Sequence, residues 1–261
     1  MTENKKGIEY LNNKIGSLKN MGEKASNIFK GESNDSLAMN KLYNESTEYF
    51  SNIIKDKLSN KDKIYKLADF GSFRGELLGN ILDKLPDYKF STTAVDINED
   101  ALKENLSAQE KIVATLDKIP LEDKSMDIII CRYALQWNNI EEQQKILKEI
   151  ARITKGFAII QYAGPDNNNP DKWREKIDDL LTGKEISKLR RAGYYFSSRN
   201  EIEGWMKENK INFERLMERK VKNVSDVFIK KYNLNDNESL KTKEILGDKN
   251  YIIQTTWLII G

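Results

Sequence analysis

The sequence predicts an α/β fold, a three-layer sandwich on a mostly parallel seven-stranded sheet, and two observations carry the prediction. From about residue 63 onward, short β-branched runs alternate with helical patterns, which is how parallel strands joined by crossover helices read. The chain has 261 residues, 39% apolar and 32% charged, enough for one filled core under a solvated surface.

Residues 1–62 place apolar side chains at Ile8, Leu11, Ile15 and Leu18, then at Leu42, Tyr49, Phe50, Ile53 and Leu58, a spacing that predicts amphipathic helices and an N-terminal helical cap. Residues 63–261 form the main domain. Its first five strands are expected in IYKLADF, KFSTTAVD, KIVATL, MDIIICR and GFAIIQYA. The helices between them are expected in GELLGNILDKL, NEDALKENLSAQ and ALQWNNIEEQQKILKEIARI. The turn-rich GPDNNNPD then opens a helical insertion at about 165–198. A helix in RNEIEGWMKENK precedes two further strands, FERLMERKVKNV and YIIQTTWLIIG, with Ser225 to Lys249 read as a polar connection.

Charge and composition exclude several functions. Forty-three basic against 41 acidic residues leave a net charge of +2, far from the basic footprint of a nucleic-acid binder. The N-terminus has no apolar signal core, and no run approaches the roughly 20 residues of a membrane span, so a cytoplasmic protein without a membrane partner is expected. One cysteine, Cys131, precludes an internal disulfide. The absence of histidine removes the commonest general base and metal ligand, and no metal site is expected.

LADFGSFRGELLGNI places Asp69, Gly71 and Gly75 where a strand gives way to a helix. Glycines there permit a tight turn and close approach of backbone to ligand, and the helix start offers free N–H groups. The following strand ends in Asp96, 21 residues beyond Gly75, close to the spacing of about 20 at which a strand-end carboxylate grips ribose hydroxyls. Asp96 can also cap the next helix, near Asn98; the two roles are compatible.

These segments resemble class I, Rossmann-like, S-adenosylmethionine-dependent methyltransferases. DFGSFRG is similar to their acidic glycine loop, VDIN to the strand with the ribose-binding acid, and IPLEDKSMDIIICRYALQW to their third and fourth motifs. The resemblance covers roughly Leu67 to Gly164 and implies an antiparallel last strand, an enzyme and S-adenosyl-L-methionine as cofactor. It implies that Asp69 and the backbone of Gly71, Ser72, Phe73 and Gly75 meet the methionine moiety. Asp96, with Ile97 beside it, would hold the ribose, and Thr115 and Leu116 the adenine. The sequence departs from the family pattern twice: Phe73 stands at the middle glycine, and Thr115 stands where many members have an adenine-binding Asp, with Asp117 the nearest acid. A nicotinamide-binding alternative shares the loop, but the one Tyr-x-x-x-Lys pair, Tyr10 and Lys14, precedes it.

Transfer of a methyl group from a sulfonium needs alignment and desolvation more than acid–base help. Without histidine, a small-molecule acceptor that is already nucleophilic is favoured, a carboxylate oxygen or an amine nitrogen, unless a Tyr, Asp or Glu acts as base. Arg132 and Tyr133, polar residues directly after a buried strand, are the candidate catalytic residues that position the acceptor, and Arg132 can also orient the cofactor. Leu135-Gln136-Trp137 resembles a stretch in trans-aconitate and malonyl-carrier carboxyl methyltransferases, although Leu135 and Trp137 equally fit core positions. Tyr43 resembles an aromatic that closes over the cofactor from an N-terminal helix, whereas Tyr49 and Phe50 read as a packed face. Lys188, Arg190 and Arg191, followed by Tyr194, Tyr195 and Phe196, form a basic cluster that is either a solvated face or a lid over an anionic substrate. The alternatives are a protein or RNA methyltransferase, which would want a charged groove or an Asn-Pro-Pro-Tyr-like element, and a noncatalytic partner subunit. The sequence leaves the acceptor and the oligomeric state open.

Overall fold

The expected β-branched runs become strands β1 (Ile64–Phe70), β2 (Lys89–Asp96), β3 (Glu110–Val113), β4 (Met126–Arg132), β5 (Thr154–Gly164), β6 (Phe213–Lys222) and β7 (Tyr251–Ile260). The computed structural model describes residues 36–164, 197–222, 234–247 and 251–261, with Gly16, Leu180, Ser225 and Ile229 as single positions. The strands form one sheet in the order β3-β2-β1-β4-β5-β7-β6. The first five strands run parallel, and β7 is antiparallel to both β5 and β6, as the family resemblance implies. Strand order reverses between β1 and β4, the kind of switch point outside which α/β sheets bind ligands.

Each face of the sheet buries its own apolar cluster. On one, Phe50, Ile54 and Leu58 at the end of α1 (Ser36–Lys57), and Leu77, Leu78 and Ile81 of α2 (Glu76–Lys84), cover Leu67, Ile128, Ile130, Ile159 and Leu258. On the other, Ile146, Leu147, Ile150 and Ile153 of α4 (Ile140–Ile153) and Ile202 and Met206 of α5 (Arg199–Glu208) cover Ala68, Ile129, Cys131, Ile160 and Trp257. Near-continuous apolar strands are what a sheet covered on both faces requires. Phe50 is fully buried in the first cluster and Tyr49 packs against it, so both are part of the packed face.

Local chemistry explains three departures from the sequence reading. The single helical pattern over 134–153 divides into a 3-10 turn, Leu135–Trp137, and α4, because the Asn139 side chain accepts from Glu142 N–H while Glu142 accepts from Asn139 N–H, a reciprocal cap that starts a new helix. β3 ends at Val113, three residues short of the expected strand, the chain leaving with an Ala114 N–H bond to the Asp96 carbonyl. The segment read as a polar connection contains helix α6 (Asp236–Leu246), which Asn235 and Glu238 cap in the same way as α4. The remaining helix, α3 (Glu99–Glu104), starts at Asn98, whose side chain accepts from Ala101 N–H.

Candidate functional site

The carboxyl ends of β1, β2 and β4 meet at the switch point, and the loop from β1 to α2 turns there through three left-handed residues: Gly71 (φ 75°), Phe73 (φ 49°) and Gly75 (φ 84°). The glycines are required by space as well as by φ. A Cβ on Gly71 would stand 2.5 Å from Ala134 Cβ, and one on Gly75 2.3 Å from Asn105 Oδ1. The loop is anchored on β2, where the Val95 carbonyl accepts from Gly71 N–H at 2.8 Å and from Ser72 N–H at 3.2 Å.

Phe73, standing at the middle glycine position, fits because its backbone is used: its N–H donates to Asp96 Oδ2 at 2.9 Å, while Arg74 stacks over its ring. Asp96 Oδ1 accepts from Asn98 N–H, so the carboxylate lies between loop and helix start. Burial pushes the Asp96 carboxyl up, and the N–H bonds from Asn98, Phe73 and Ile97 oppose the rise. Asp69 is 2% exposed. Burial pushes its carboxyl up to about 7, the nearby Arg132 charge pulls it down, and Asp96 and Glu76 add to the rise. Its Oδ2 is buried and meets no partner among the described residues.

Thr115 and Leu116 follow β3 and are half-buried, with Leu116 Cδ1 3.8 Å from the Cβ position of Gly71, so the loop after β3 faces the glycine loop. α4 pins that loop. Glu149 accepts from Ile119 N–H, and Arg152 donates to the carbonyls of Ile119 and Leu121. Arg132 ends β4 and Tyr133 follows it, both half-buried. Tyr133 is a left-handed non-glycine residue (φ 54°), a strained state found where surrounding structure imposes it. Its N–H donates to the Gln161 carbonyl, and its phenol oxygen accepts from Gln254 Nε2.

The matches with known proteins agree with this geometry. Residues 69–160 match the family described as "Methyltransferase domain". An uncharacterized methyltransferase of Schizosaccharomyces pombe is 28% identical over 115 residues, 44% of this chain and 45% of that protein, so the chain spans less than half the length of the curated relative. Among solved structures, the YcgJ protein of Bacillus subtilis aligns with a TM-score of 0.58 at 15% identity, over 81% of this chain and 98% of that one. The geranyl diphosphate C-methyltransferase of Streptomyces coelicolor, solved with S-adenosyl-L-homocysteine, aligns at 0.55 and 11% identity over 82% and 77% of the two chains. The phosphoethanolamine N-methyltransferase 2 of Haemonchus contortus, solved with S-adenosyl-L-methionine, aligns at 0.52 and 14% over 80% and 51%.

Residues 69–160 are similar to a methyltransferase domain, and the α/β fold they sit in is the one these solved structures share.

The structure gathers Asp69, Gly71, Ser72, Phe73, Gly75, Asp96, Ile97, Thr115, Leu116, Arg132 and Tyr133 along one edge of the sheet. Of the stretch after β4, Leu135 enters the core, Trp137 is half-buried outside both clusters, and Gln136 is buried with Oε1 unpartnered among the described residues. Tyr43 falls in the part of α1 whose side chains lie outside the described residues, as do Lys188, Arg190, Arg191, Tyr194, Tyr195 and Phe196. The sequence reading passed over a group beside Tyr133: Gln161 on β5, Gln254 and Thr256 on β7, Arg219 on β6 and Glu45 on α1. Arg219 donates to Gln254 Oε1 and to Glu45, and Gln161 donates to Thr256. The signal was present in GFAIIQYA and YIIQTTWLIIG, where a glutamine interrupts a run that both faces of the sheet would otherwise bury.

Proposed function

We propose that the chain transfers a methyl group from S-adenosylmethionine to a small-molecule acceptor, at a carboxylate oxygen or an amine nitrogen, in the cytoplasm. The carrying observation is the buried Asp69 carboxylate with an unpartnered oxygen, beside a glycine turn that has no room for a Cβ. Such an atom is costly to keep apart from a donor, and the cofactor's ammonium group supplies one. The residues fit the cofactor. In this reading the loop backbone from Gly71 to Gly75 cradles the methionine end, and Asp96, already fixed by backbone N–H bonds, accepts from the ribose hydroxyls. Thr115 and Leu116 face the adenine, and Tyr43 closes from α1. Bound there, the cofactor supplies an activated methyl group on a positively charged sulfur.

The protein's part is alignment. Arg132 offsets the Asp69 charge and orients the donor end, while Tyr133, strained and held at its phenol by Gln254, positions the acceptor. The N-terminal cap (1–62) and the insertion (165–198) set the choice of acceptor in this reading. Incubation with methyl-labelled S-adenosylmethionine and a library of small amines and carboxylic acids tests the proposal: label is expected in low-mass products. Label appearing only in protein or RNA overturns the small-molecule assignment.

A further inference from the structure

On the face covered by α1 and α2, the apolar row of the sheet stops at one level and a polar row begins. Leu67, Ile130, Ile159 and Leu258 are followed two residues on, toward the site, by Asp69, Arg132, Gln161 and, in the antiparallel β7, Thr256 and then Gln254. Two of these side chains are fully buried amides, Gln161 and Gln254. Gln254 is satisfied at both ends, accepting from Arg219 and donating to the Tyr133 phenol oxygen. Gln161 is satisfied at one: its Nε2 donates to Thr256 Oγ1 at 3.1 Å, and its Oε1 meets no partner among the described residues. Gln161 stands in register with Arg132 on one side and Thr256 on the other, and its own carbonyl takes the Tyr133 N–H. An unmatched acceptor thus sits beside Thr256 and Gln254, whose side chains are engaged.

We infer that Gln161 is a specificity-determining residue that receives an N–H or O–H donor of the methyl acceptor. The inference rests on the methyltransferase reading and narrows it, favouring an amine-type acceptor over a carboxylate. The nearby Arg219 is offset by Glu45, and the unmatched carbonyl of Gln161 favours a donor over an acceptor in the group it takes. A donor hydrogen bond satisfies Oε1. A carboxylate would set its lone pairs against it.

The test uses the full chain saturated with S-adenosylhomocysteine and two probes of equal size, benzamide and benzoate, whose binding is followed by saturation-transfer NMR titration. Wild type is expected to bind benzamide about tenfold more tightly, the worth of one buried hydrogen bond. Gln161→Met removes the acceptor and should abolish the preference. Thr256→Val leaves Gln161 in place but frees its amide to turn, and should bring the preference within about twofold or reverse it; this variant carries the test should Gln161→Met not fold. Equal binding of the probes, binding of neither, a preference for benzoate in wild type, or a preference that survives Thr256→Val overturns the inference. Failure of wild type to bind S-adenosylhomocysteine would instead overturn the methyltransferase reading on which it rests.

Discussion

Replacing Gly71 with alanine places a methyl group 2.5 Å from Ala134 Cβ, on a backbone held at φ 75°. Two costs follow from that geometry. A left-handed conformation costs a non-glycine residue about 1 kcal/mol. The overlap forces the β1 turn away from the segment after β4, and overpacking of this kind costs about 1–3 kcal/mol. Gly71→Ala should therefore destabilise by about 2–4 kcal/mol. The packing part has one identified partner, so it can be separated. Ala134→Gly alone should cost under about 1 kcal/mol, and in the double variant the overlap vanishes while the backbone strain remains, giving a favourable coupling of about 1–3 kcal/mol. Urea titrations of the four proteins measure it, and S-adenosylhomocysteine titration of each should show affinity recovering in parallel. Additive costs, or a Gly71→Ala variant within about 0.5 kcal/mol of wild type, would refute the close approach of the loop to Ala134.

Three further outcomes follow from single contacts. Asp69 is pushed up to about 7 from 3.8, so the unfolded chain loses this proton first. Stability due to Asp69 then falls as pH rises from about 4 to 7 and is constant above; the difference in urea midpoint between wild type and Asp69→Asn should decline over that window, and a flat difference would contradict the burial argument. Arg152→Ala frees the carbonyls of Ile119 and Leu121, and the loop bearing Thr115 should loosen at a cost of about 1–2 kcal/mol, with faster amide exchange at residues 115–121. Asn235→Ala removes the cap of α6 and should cost about 1 kcal/mol by denaturant titration, leaving cofactor affinity unchanged.

The glycine turn and its neighbouring acids were legible because their geometry is local. Asp69, Gly71, Gly75 and Asp96 lie close together in sequence at strand ends, where turn geometry and helix starts dictate residue type. Phe73 departs from the family pattern, yet its N–H bonds Asp96 and its backbone takes the left-handed turn. α6 was missed because its few apolar residues form no clear stripe, yet the Asn235-x-x-Glu238 start signal was readable. The group around Gln161 was not legible as a site. Glu45 and Arg219, or Gln161 and Thr256, are far apart in sequence, and only the pairing of β7 between β5 and β6 brings them together. Sequence shows that a glutamine interrupts an apolar strand; register shows which neighbours it meets.

The central claim is that the edge formed by the β1 turn and Asp96 binds S-adenosylmethionine. Calorimetric titration of the folded chain with S-adenosylhomocysteine tests it most directly, alongside Asp96→Ala with its fold verified by circular dichroism. One site per chain, weakened at least tenfold in Asp96→Ala, is the predicted result. Absence of binding by folded wild type, or equal affinity in the variant, would contradict the account.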